Sequence, residues 1–338
     1  MDEQEKQITQ RKTDHIELAF ESQVKDAARD PRFYYEPMLT AFPEEIDLGR
    51  EFLGRTLRYP IWVSSMTGGT EHARTINTNL ARMCGEFGLG MGLGSCRVLL
   101  EDDTRFEDFN MRPIMGPDVP LFANLGIAQV EELVADKSLA RISELVDSLQ
   151  ADGIIIHVNP LQEWLQPEGD AIMVPPIETI QAVLDTLDTR VIVKEVGQGM
   201  GPASLSELLR LPIDAIELAA HGGTNFAMLE LLRADDHARE VYAPLARIGH
   251  SPDEMIHFIN EAVKDLGSSL QCRQVIISGG LRGFLDGYYY MNRLTLPSVY
   301  GHASQFLKYA QEDYATLSQF ARSQTEGLKL AHAYLKVR

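Results

Sequence analysis

The chain has 338 residues, of which 44% are hydrophobic and 24% charged, a composition typical of a globular protein with a substantial core. Its formal net charge of −18 argues against binding nucleic acid through a basic surface. No apolar run approaches the roughly 18 residues needed to cross a bilayer, and the polar N-terminus does not resemble a signal peptide. We therefore expect a cytoplasmic protein with neither nucleic acid nor a membrane as partner. Cys84, Cys96 and Cys272 are widely spaced and match no disulfide framework and no Cys-x-x-Cys metal motif.

The first 52 residues form an extension that precedes the repeating part of the chain. It holds the adjacent cations Arg11 and Lys12, a predicted amphipathic helix near Ile16–Ala28, and a segment with prolines and aromatic residues that continues to Pro43. Basic residues near an N-terminus are usually solvated, so position alone assigns no function to Arg11 and Lys12. We divide the chain into this extension, residues 1–52, and one domain, residues 53–338.

Eight short apolar runs follow, and each ends on polar or glycine residues, with helix-length segments between most of them. Strands that are buried along their length and become polar at their C-terminal end are typical of a (β/α)8 TIM barrel, whose active site lies at that rim. The predicted fold is therefore a single α/β TIM barrel with an N-terminal extension and C-terminal helices. The predicted strands are Ile61–Val63, Leu89–Leu93, Leu121–Ala123, Ile154–Ile156, Val191–Val193, Ala215–Leu218, Val275–Ile277 and Ser298–Tyr300.

Apolar residues at helical spacing predict the helices between these strands. The long interval between the sixth and seventh strands indicates an inserted lid or loop region at Thr224–Pro252. After Gly301 the chain reads as helical to its end. The predicted helices are Arg74–Phe87, Ala128–Leu149, Pro176–Leu187, Leu205–Leu211 and Asp253–Leu266.

The loops after the last two predicted strands are candidates for a phosphate site. Ser278-Gly279-Gly280-Leu281-Arg282 follows the seventh strand and Gly301-His302-Ala303 follows the eighth, and in barrels these loops commonly bind phosphate. The alternative is a tight turn with a solvated arginine. Lys194 ends the fifth strand, where it would stabilise an anionic group such as a reduced flavin or a phosphate, unless it merely pairs with Glu195 in water.

The densest polar stretch is His157-Val158-Asn159-Pro160-Leu161-Gln162-Glu163. His157 and Asn159 share one face of the strand because its side chains alternate. Glu163 is the strong candidate ligand for a hard cation, and one carboxylate suits a Mg²⁺ ion held otherwise by water and a diphosphate. The alternative is a capped turn with a core histidine, which would explain His157 but not all four polar groups.

Together these segments resemble a known family. The matching stretches are Arg11-Lys12-x-Asp14-His15-Ile16, Met66-Thr67-Gly68-Gly69, Gly94-Ser95-x-Arg97, Asn124-Leu125-Gly126, His157-x-Asn159-Pro160-Leu161-Gln162-Glu163 leading to Gln166-Pro167-Glu168-Gly169-Asp170, Val193-Lys194-Glu195-Val196-Gly197-x-Gly199, Gly222-Gly223-Thr224 and Ser278-Gly279-Gly280-Leu281-Arg282. In this order they resemble the FMN-dependent type 2 isopentenyl diphosphate isomerase family.

The resemblance implies a barrel that binds FMN, uses it in reduced form with NADPH as reductant, and binds a prenyl diphosphate with Mg²⁺. It also implies a homo-oligomer, a tetramer or octamer. By position, Arg11, Lys12 and Arg97 would bind the diphosphate, Glu163 would bind Mg²⁺, and His157, Asn159 and Gln162 would line the substrate, with His157 and Gln162 catalytic. The implied flavin contacts are Ser65, Met66, Thr67, Ser95, Asn124, Lys194 and Thr224, with Gly280, Arg282, Gly301 and Ala303 near the phosphate.

The chemistry required agrees with a flavin. Protonating an unactivated alkene needs a strong, positioned acid in a dry pocket, and no pair of carboxylates stands out in the sequence for that task. A reduced flavin can supply a proton from its ring, and Gln162 is then a candidate for relaying or orienting the second proton.

The chain departs from the family pattern at several positions. Cys96 stands where glutamine is usual, and Glu217-Leu218-Ala219-Ala220-His221 replaces the usual ending before Gly-Gly-Thr. Phe284 and Tyr289 occupy the usual glycine and lysine positions. Two other functions therefore stay open: an FMN oxidoreductase that oxidises a small hydroxy acid, with His221 as base, and a non-catalytic flavin or isoprenoid-phosphate binding protein.

Overall fold

Each of the eight predicted strand regions forms a strand, and the eight strands close into a parallel barrel. The computed structural model describes residues 3–43, 46–65, 67 and 69–338. The strands are β1 Phe33–Tyr35, β2 Arg50–Phe52, β3 Arg55–Leu57, β4 Ile61–Val63, β5 Gly90–Gly92, β6 Leu121–Gly126, β7 Gly153–His157, β8 Arg190–Lys194, β9 Ala215–Glu217, β10 Val275–Ile277, β11 Ser298–His302 and β12 Leu335–Val337. Strands β4 to β11 follow one another around the barrel, and β11 pairs with β4 to close it. The predicted TIM barrel is confirmed.

Helices surround the barrel and connect its strands. They are α1 Glu3–Glu17, α2 Glu71–Phe87, α3 Arg112–Met115, α4 Ile127–Ala135, α5 Ala140–Ser148, α6 Pro160–Leu165, α7 Pro176–Thr186, α8 Pro202–Arg210, α9 Phe226–Arg233, α10 Asp236–Tyr242, α11 Pro252–Leu266, α12 Phe284–Arg293, α13 Ser304–Ala310 and α14 Tyr314–Tyr334. Local sequence sets several of their ends. Thr70 caps α2 by accepting the Ala73 N–H at 3.1 Å, and Gly88 ends that helix with φ +70°.

An antiparallel hairpin made of β2 and β3 closes the N-terminal end of the barrel. Its two-residue turn, Leu53-Gly54, has φ values of +51° and +73°, as the mirror-image turns of tight hairpins require. Leu53 is buried together with side chains from the barrel interior, among them Trp62 and Ile192, and its N–H donates to Gln274 Oε1 at 2.9 Å. The boundary that we drew after residue 52 falls inside this hairpin.

The predicted helix at Ile16–Ala28 is wrong. Helix α1 ends at Glu17, turns follow, and Asp26–Ala28 is a short 3₁₀ helix. The apolar side chains that produced the helical pattern, such as Phe20 and Val24, are exposed and pack on no core of this chain. Spacing alone does not stabilise a helix in that situation.

Two further regions differ from prediction. The predicted helix Ala128–Leu149 is two helices, α4 and α5, separated at Lys137, which has φ +55°. The C-terminal region is helical through Tyr334 but ends in β12, which pairs antiparallel with β1. This pairing attaches the N-terminal segment to the barrel and joins residues that are far apart in sequence.

The inserted region after β9 contains α9 and α10 and packs beside α6. Ala227, Leu231 and Ala246 bury their side chains against Leu161 and Leu165 of α6. The insertion thus supports the helix that carries Gln162 and Glu163. All three cysteines are buried and none forms a disulfide. Among the described residues, no helix combines the length and apolar character needed to cross a membrane.

Candidate active site at the barrel mouth

Two adjoining cavities occupy the C-terminal end of the barrel. The first cavity, about 310 Å³, is lined by the ends of β4, β8, β9, β10 and β11 and the loops that follow them. The second cavity, about 140 Å³, is lined by the ends of β4, β5, β6, β7 and β8. Ser65 after β4, Lys194 at the end of β8, Val196 and Phe226 line both. Because β4 and β8 are four strands apart in an eight-stranded barrel, Ser65 and Lys194 lie on opposite sides of the mouth, where the two cavities meet.

Three polar side chains lie at one level on adjacent strands. His157 pairs in register with Lys194, and Lys194 pairs with Glu217. Lys194 is 8% exposed, and its Nζ donates to the Glu195 carbonyl oxygen at 2.7 Å. Glu217 is fully buried. This row places a base, a cation and a carboxylate side by side under the mouth.

A chain of hydrogen bonds fixes the protonation of His157. Asn124 Nδ2 donates to Ser65 Oγ at 2.9 Å, which leaves Asn124 Oδ1 to accept from His157 Nδ1 at 2.7 Å. Burial, and then the positive charge of Lys194, lower the pKa of His157 to about 3. His157 is therefore neutral near pH 7 with its proton on Nδ1, and Nε2 is left as a hydrogen-bond acceptor.

Asn159, Gln162 and Glu163 form a hydrogen-bonded group at the start of α6. Asn159 Nδ2 donates to Gln162 Oε1 at 3.1 Å and to Glu163 Oε1 at 2.9 Å. Glu163 Oε2 accepts from Gln166 Nε2 at 3.0 Å and from the Asp170 N–H at 2.9 Å. A carboxylate offers about four lone-pair positions, so Glu163 Oε1 keeps one for a further ligand. Asn159 Oδ1 is buried and has no hydrogen-bond partner.

Glycine loops form one wall of the first cavity. Gly279 and Gly280, after β10, have φ values of +91° and +73°, a region that favours glycine. A Cβ atom on Gly279 would lie 2.1 Å from the Ala220 carbonyl oxygen, so no larger residue fits there. The Gly222-Gly223 backbone packs directly against these glycines. The β8 loop is held in turn by Glu195 Oε2, which accepts the N–H groups of Gly197, Gln198 and Gly199.

The structure brings most of the predicted site residues together at the mouth. Those that line a cavity are Ser65, Ser95, Asn124, His157, Gln162, Lys194, Thr224, Gly280, Arg282, Gly301 and Ala303. Asn159 and Glu163 lie directly behind Gln162. Thr67 lies beside Gly94, next to the second cavity, and its hydroxyl is 3.2 Å from Asn77 Oδ1. Met66 lies outside the described residues.

The predicted diphosphate-binding cations are not at the cavities. Arg11 and Lys12 are exposed on α1 and line neither cavity. Arg97 is half-exposed and forms an ion pair with Asp170 at 2.6 Å. Among described residues, no group of three or more His, Cys, Asp or Glu side chains is arranged to hold a metal ion. Any cation bound here would have to take most of its ligands from water or substrate.

Several cavity residues were not assigned a role from the sequence, among them Glu217 and Phe226, and His302 was named only as part of the loop after the eighth strand. Glu217 lies within an apolar run that predicts a strand, and the one available signal was a carboxylate where a buried strand should be apolar. His302 is buried at the end of β11, and burial lowers its pKa to about 4. Nothing in the sequence separates such a histidine from a surface one.

The fold and the mouth together define the class of protein: a (β/α)8-barrel enzyme with its site at the C-terminal end of the strands. Solved structures similar in fold include a mutant flavocytochrome b2 with pyruvate bound (TM-score 0.62, 11% identity, 89% of this chain and 72% of that chain). Another is a mutant mandelate oxidase with the monooxide FMN adduct (TM-score 0.54, 14% identity, 91% of this chain and 88% of that one). At these identities the similarity concerns the fold. No protein-family model matches the chain.

Relatives found by sequence identify the family of the chain. The isopentenyl-diphosphate delta-isomerase of Rickettsia africae is 35% identical over 332 residues, which cover 95% of this chain and 92% of that protein. The isopentenyl-diphosphate delta-isomerase of Rickettsia typhi is 33% identical over 340 residues, which cover 98% and 94%. The chain belongs to the isopentenyl-diphosphate delta-isomerase family.

Proposed function

We propose that the protein interconverts isopentenyl and dimethylallyl diphosphate, with reduced FMN bound at the barrel mouth. The observation that carries the proposal is the division of the mouth into two cavities that share Ser65 and Lys194. Residues of the first cavity would hold the flavin phosphate, and the residues shared by the two cavities would hold the flavin ring. Membership of the isomerase family supports the reaction.

The residues of the first cavity fit FMN. Loops after β10 and β11, the usual phosphate loops of barrels, line it, and two of its lining residues, Glu217 and Ser64, have a buried polar atom without a hydrogen-bond partner. Lys194 would lie against the ring, with Ser65, Thr67, Ser95, Asn124 and Thr224 around it and Gly280, Arg282, Gly301 and Ala303 at the phosphate. When reduced and bound, FMN supplies a ring proton for an isomerisation without net redox change.

The residues of the second cavity would position the substrate. His157 is neutral and presents Nε2 as an acceptor, so it can hold or receive a proton but does not supply one near pH 7. Gln162 lines the same cavity and is oriented by Asn159, which favours a role in relaying or orienting a proton. Val196 and Phe226 contribute apolar wall, which helps to exclude water from the reacting carbons.

Glu163 would hold Mg²⁺, which would help to bind the substrate diphosphate. The free lone pair on Glu163 Oε1 and the unpartnered Asn159 Oδ1 are oxygen donors, the type that Mg²⁺ prefers. Arg97 would help to bind the diphosphate, and so would Arg11 and Lys12 if the extension, residues 1–52, moves over the mouth or reaches it from a neighbouring copy. NADPH is the proposed reductant of the flavin.

The proposal includes a homo-oligomer, a tetramer or octamer, in the cytoplasm. Exposed apolar side chains of the extension support assembly, since Phe20 is 82% exposed and Met38 is 89% exposed.

A hydroxy-acid oxidoreductase is the second candidate. His221 and Arg282 both line the first cavity, as a base and a carboxylate clamp would. That function leaves the Asn159–Gln162–Glu163 group unexplained, and we favour the isomerase.

The test is an anaerobic assay of the purified protein with isopentenyl diphosphate, FMN and Mg²⁺, with and without NADPH or dithionite. The expected result is dimethylallyl diphosphate in the reduced samples and none with oxidised flavin. Full isomerisation without a reductant would contradict the role of reduced FMN. Flavin reduction by a small hydroxy acid, with no isomerisation, would support the oxidoreductase. Flavin binding without either activity would indicate a binding protein.

A further inference from the structure

Glu217 is a buried carboxylate with one unused oxygen at the floor of the first cavity. It ends β9 and is 0% exposed. Its Oε1 accepts a hydrogen bond from Ser278 Oγ at 3.1 Å, and Ser278 Oγ in turn accepts the Ala219 N–H at 3.0 Å. Its Oε2 is buried and has no hydrogen-bond partner. The protein therefore fixes the orientation of this carboxylate but leaves half of it unsatisfied.

An unsatisfied buried carboxylate oxygen is unfavourable, so a bound group should supply the missing donor. The neighbouring cation does not supply it in this structure: Lys194 Nζ donates to the Glu195 carbonyl oxygen, and Glu217 Oε2 has no hydrogen-bond partner. Ser278, the other polar neighbour, uses its hydroxyl on Oε1. Glu217 lines the first cavity, so a ligand in that cavity can reach it. The ligand group that completes the site must be a hydrogen-bond donor, since an ionised carboxylate only accepts.

The order of the strands indicates which part of a bound ligand lies next to Glu217. Strand β9 lies between β8, which carries Lys194, and β10, which leads into Gly279 and Gly280. In the proposed complex Lys194 contacts the flavin ring and the glycine loop contacts the phosphate. The part of FMN between ring and phosphate is its ribityl chain, whose hydroxyl groups are donors.

We propose that Glu217 binds the ribityl chain of the flavin by accepting a hydrogen bond from one of its hydroxyl groups through Oε2. This inference rests on the proposed FMN binding and adds a residue to it. Ser278 acts through Glu217 as a positioning residue. The site thereby selects a ligand with a hydroxylated linker between its ring and its phosphate.

The experiment is a double-mutant type of cycle with two ligands and two proteins. The ligands are FMN and an FMN analogue whose linker carries no hydroxyl groups, and the proteins are the full chain and Glu217→Gln. The glutamine amide has no charge and can turn an N–H toward the ribityl chain. FMN affinity should therefore fall roughly ten- to a hundredfold, the range for a charge-assisted hydrogen bond. Affinity for the analogue should change less than threefold.

Glu163→Gln is the matched control, because it makes the same change in a buried glutamate whose two oxygens both accept hydrogen bonds within the protein. It should leave the affinity for FMN unchanged. Glu217→Asp, which keeps the charge, guards against a folding defect in Glu217→Gln and should retain part of the selectivity for FMN over the analogue. Thermal unfolding of all variants reports their integrity.

Equal loss for FMN and the analogue would overturn the inference and assign Glu217 to the ring or to Lys194. Unchanged FMN affinity in Glu217→Gln would also overturn it. Failure of the unsubstituted protein to bind FMN at all would instead contradict the proposed function, so the two failures are distinguishable.

Discussion

His157 takes its chemical character from its burial and from two neighbours, Asn124 and Lys194. Asn124 Oδ1 accepts the proton on Nδ1, while burial and then the charge of Lys194, paired in register on the next strand, oppose a second proton. The sequence places His157 at a strand end, but its charge state depends on its burial and on side chains from β6 and β8. The charge state of His157 could therefore be derived only from the structure.

The low pKa of His157 predicts a pH-dependent stability. The group has a pKa of about 6.5 when unfolded and about 3 when folded, so the unfolded state binds a proton first as the pH falls. Stability is thus fully present above pH 6.5 and is lost between pH 6.5 and 3. His157→Gln should remove roughly 1 kcal/mol of the difference in unfolding free energy between pH 7.5 and 5.5. Urea unfolding at the two pH values measures it, and an unchanged difference would contradict the assignment.

Glu163 is the second residue whose role can be isolated. Its carboxylate is held by Asn159, Gln166 and the Asp170 N–H, so Glu163→Gln changes the charge with little change in shape. A neutral amide is a much poorer ligand for a hard cation, and we expect at least a tenfold rise in the Mg²⁺ concentration needed for half-maximal isomerisation. FMN affinity should not change. Normal activity with normal metal dependence would show that Glu163 is not the ligand.

At the scale of elements, prediction from sequence succeeded where burial and spacing agree. Each barrel strand is an apolar run on a closed sheet, so its sequence signal is local and strong. The predicted helix at Ile16–Ala28 failed because its apolar face has no partner in the chain. The break at Lys137 and the β1–β12 pairing were missed because one depends on a single backbone angle and the other on residues far apart in sequence.

The residues of the site also fall into two groups, those that the sequence predicts and those that only the structure reveals. Residues in motifs at strand ends, such as Lys194 and Gln162, were identified and do line the mouth. Glu217 was not, because a lone carboxylate in an apolar run carries no spacing signal. Its unsatisfied oxygen is a property of packing, which requires the positions of Ser278 and Lys194 around it.

Helix α1 carries the proposed diphosphate cations, although they lie on an exposed surface. Each charge-assisted contact contributes about 1.5–3 kcal/mol, so Arg11→Ala should reduce kcat/KM for isopentenyl diphosphate roughly ten- to a hundredfold. Arg11→Lys, which keeps the charge, should recover most of that loss. Flavin affinity should stay constant in both variants. Unchanged kinetics in Arg11→Ala, or loss of flavin as the main defect, would show that α1 is structural.

At the scale of the whole molecule, the exposed apolar residues of the extension and the net charge have opposite effects on assembly. Large apolar side chains are exposed between residues 16 and 42, namely Ile16, Leu18, Phe20, Val24, Tyr34, Tyr35, Met38, Leu39 and Phe42. An exposed apolar set of this size, close together in the sequence, favours contact with another copy of the chain. Each copy, however, has a net charge of −18, and like charges resist assembly.

Apolar attraction and charge repulsion together predict an oligomer whose assembly is strengthened by salt. Raising the ionic strength from about 0.01 M to about 0.15 M shortens the Debye length from roughly 30 to roughly 8 Å, which screens the repulsion and leaves the apolar contacts intact. Sedimentation should therefore show more of the larger species at the higher ionic strength. The double variant Phe20→Ser/Leu39→Ser should sediment as a smaller species at both, since it removes apolar contact area without altering the charge. Leu330→Ser, an exposed apolar residue outside the extension, is the control. Assembly that weakens with salt would indicate an interface built on ion pairs. Assembly that survives the double variant would place the interface elsewhere on the molecule.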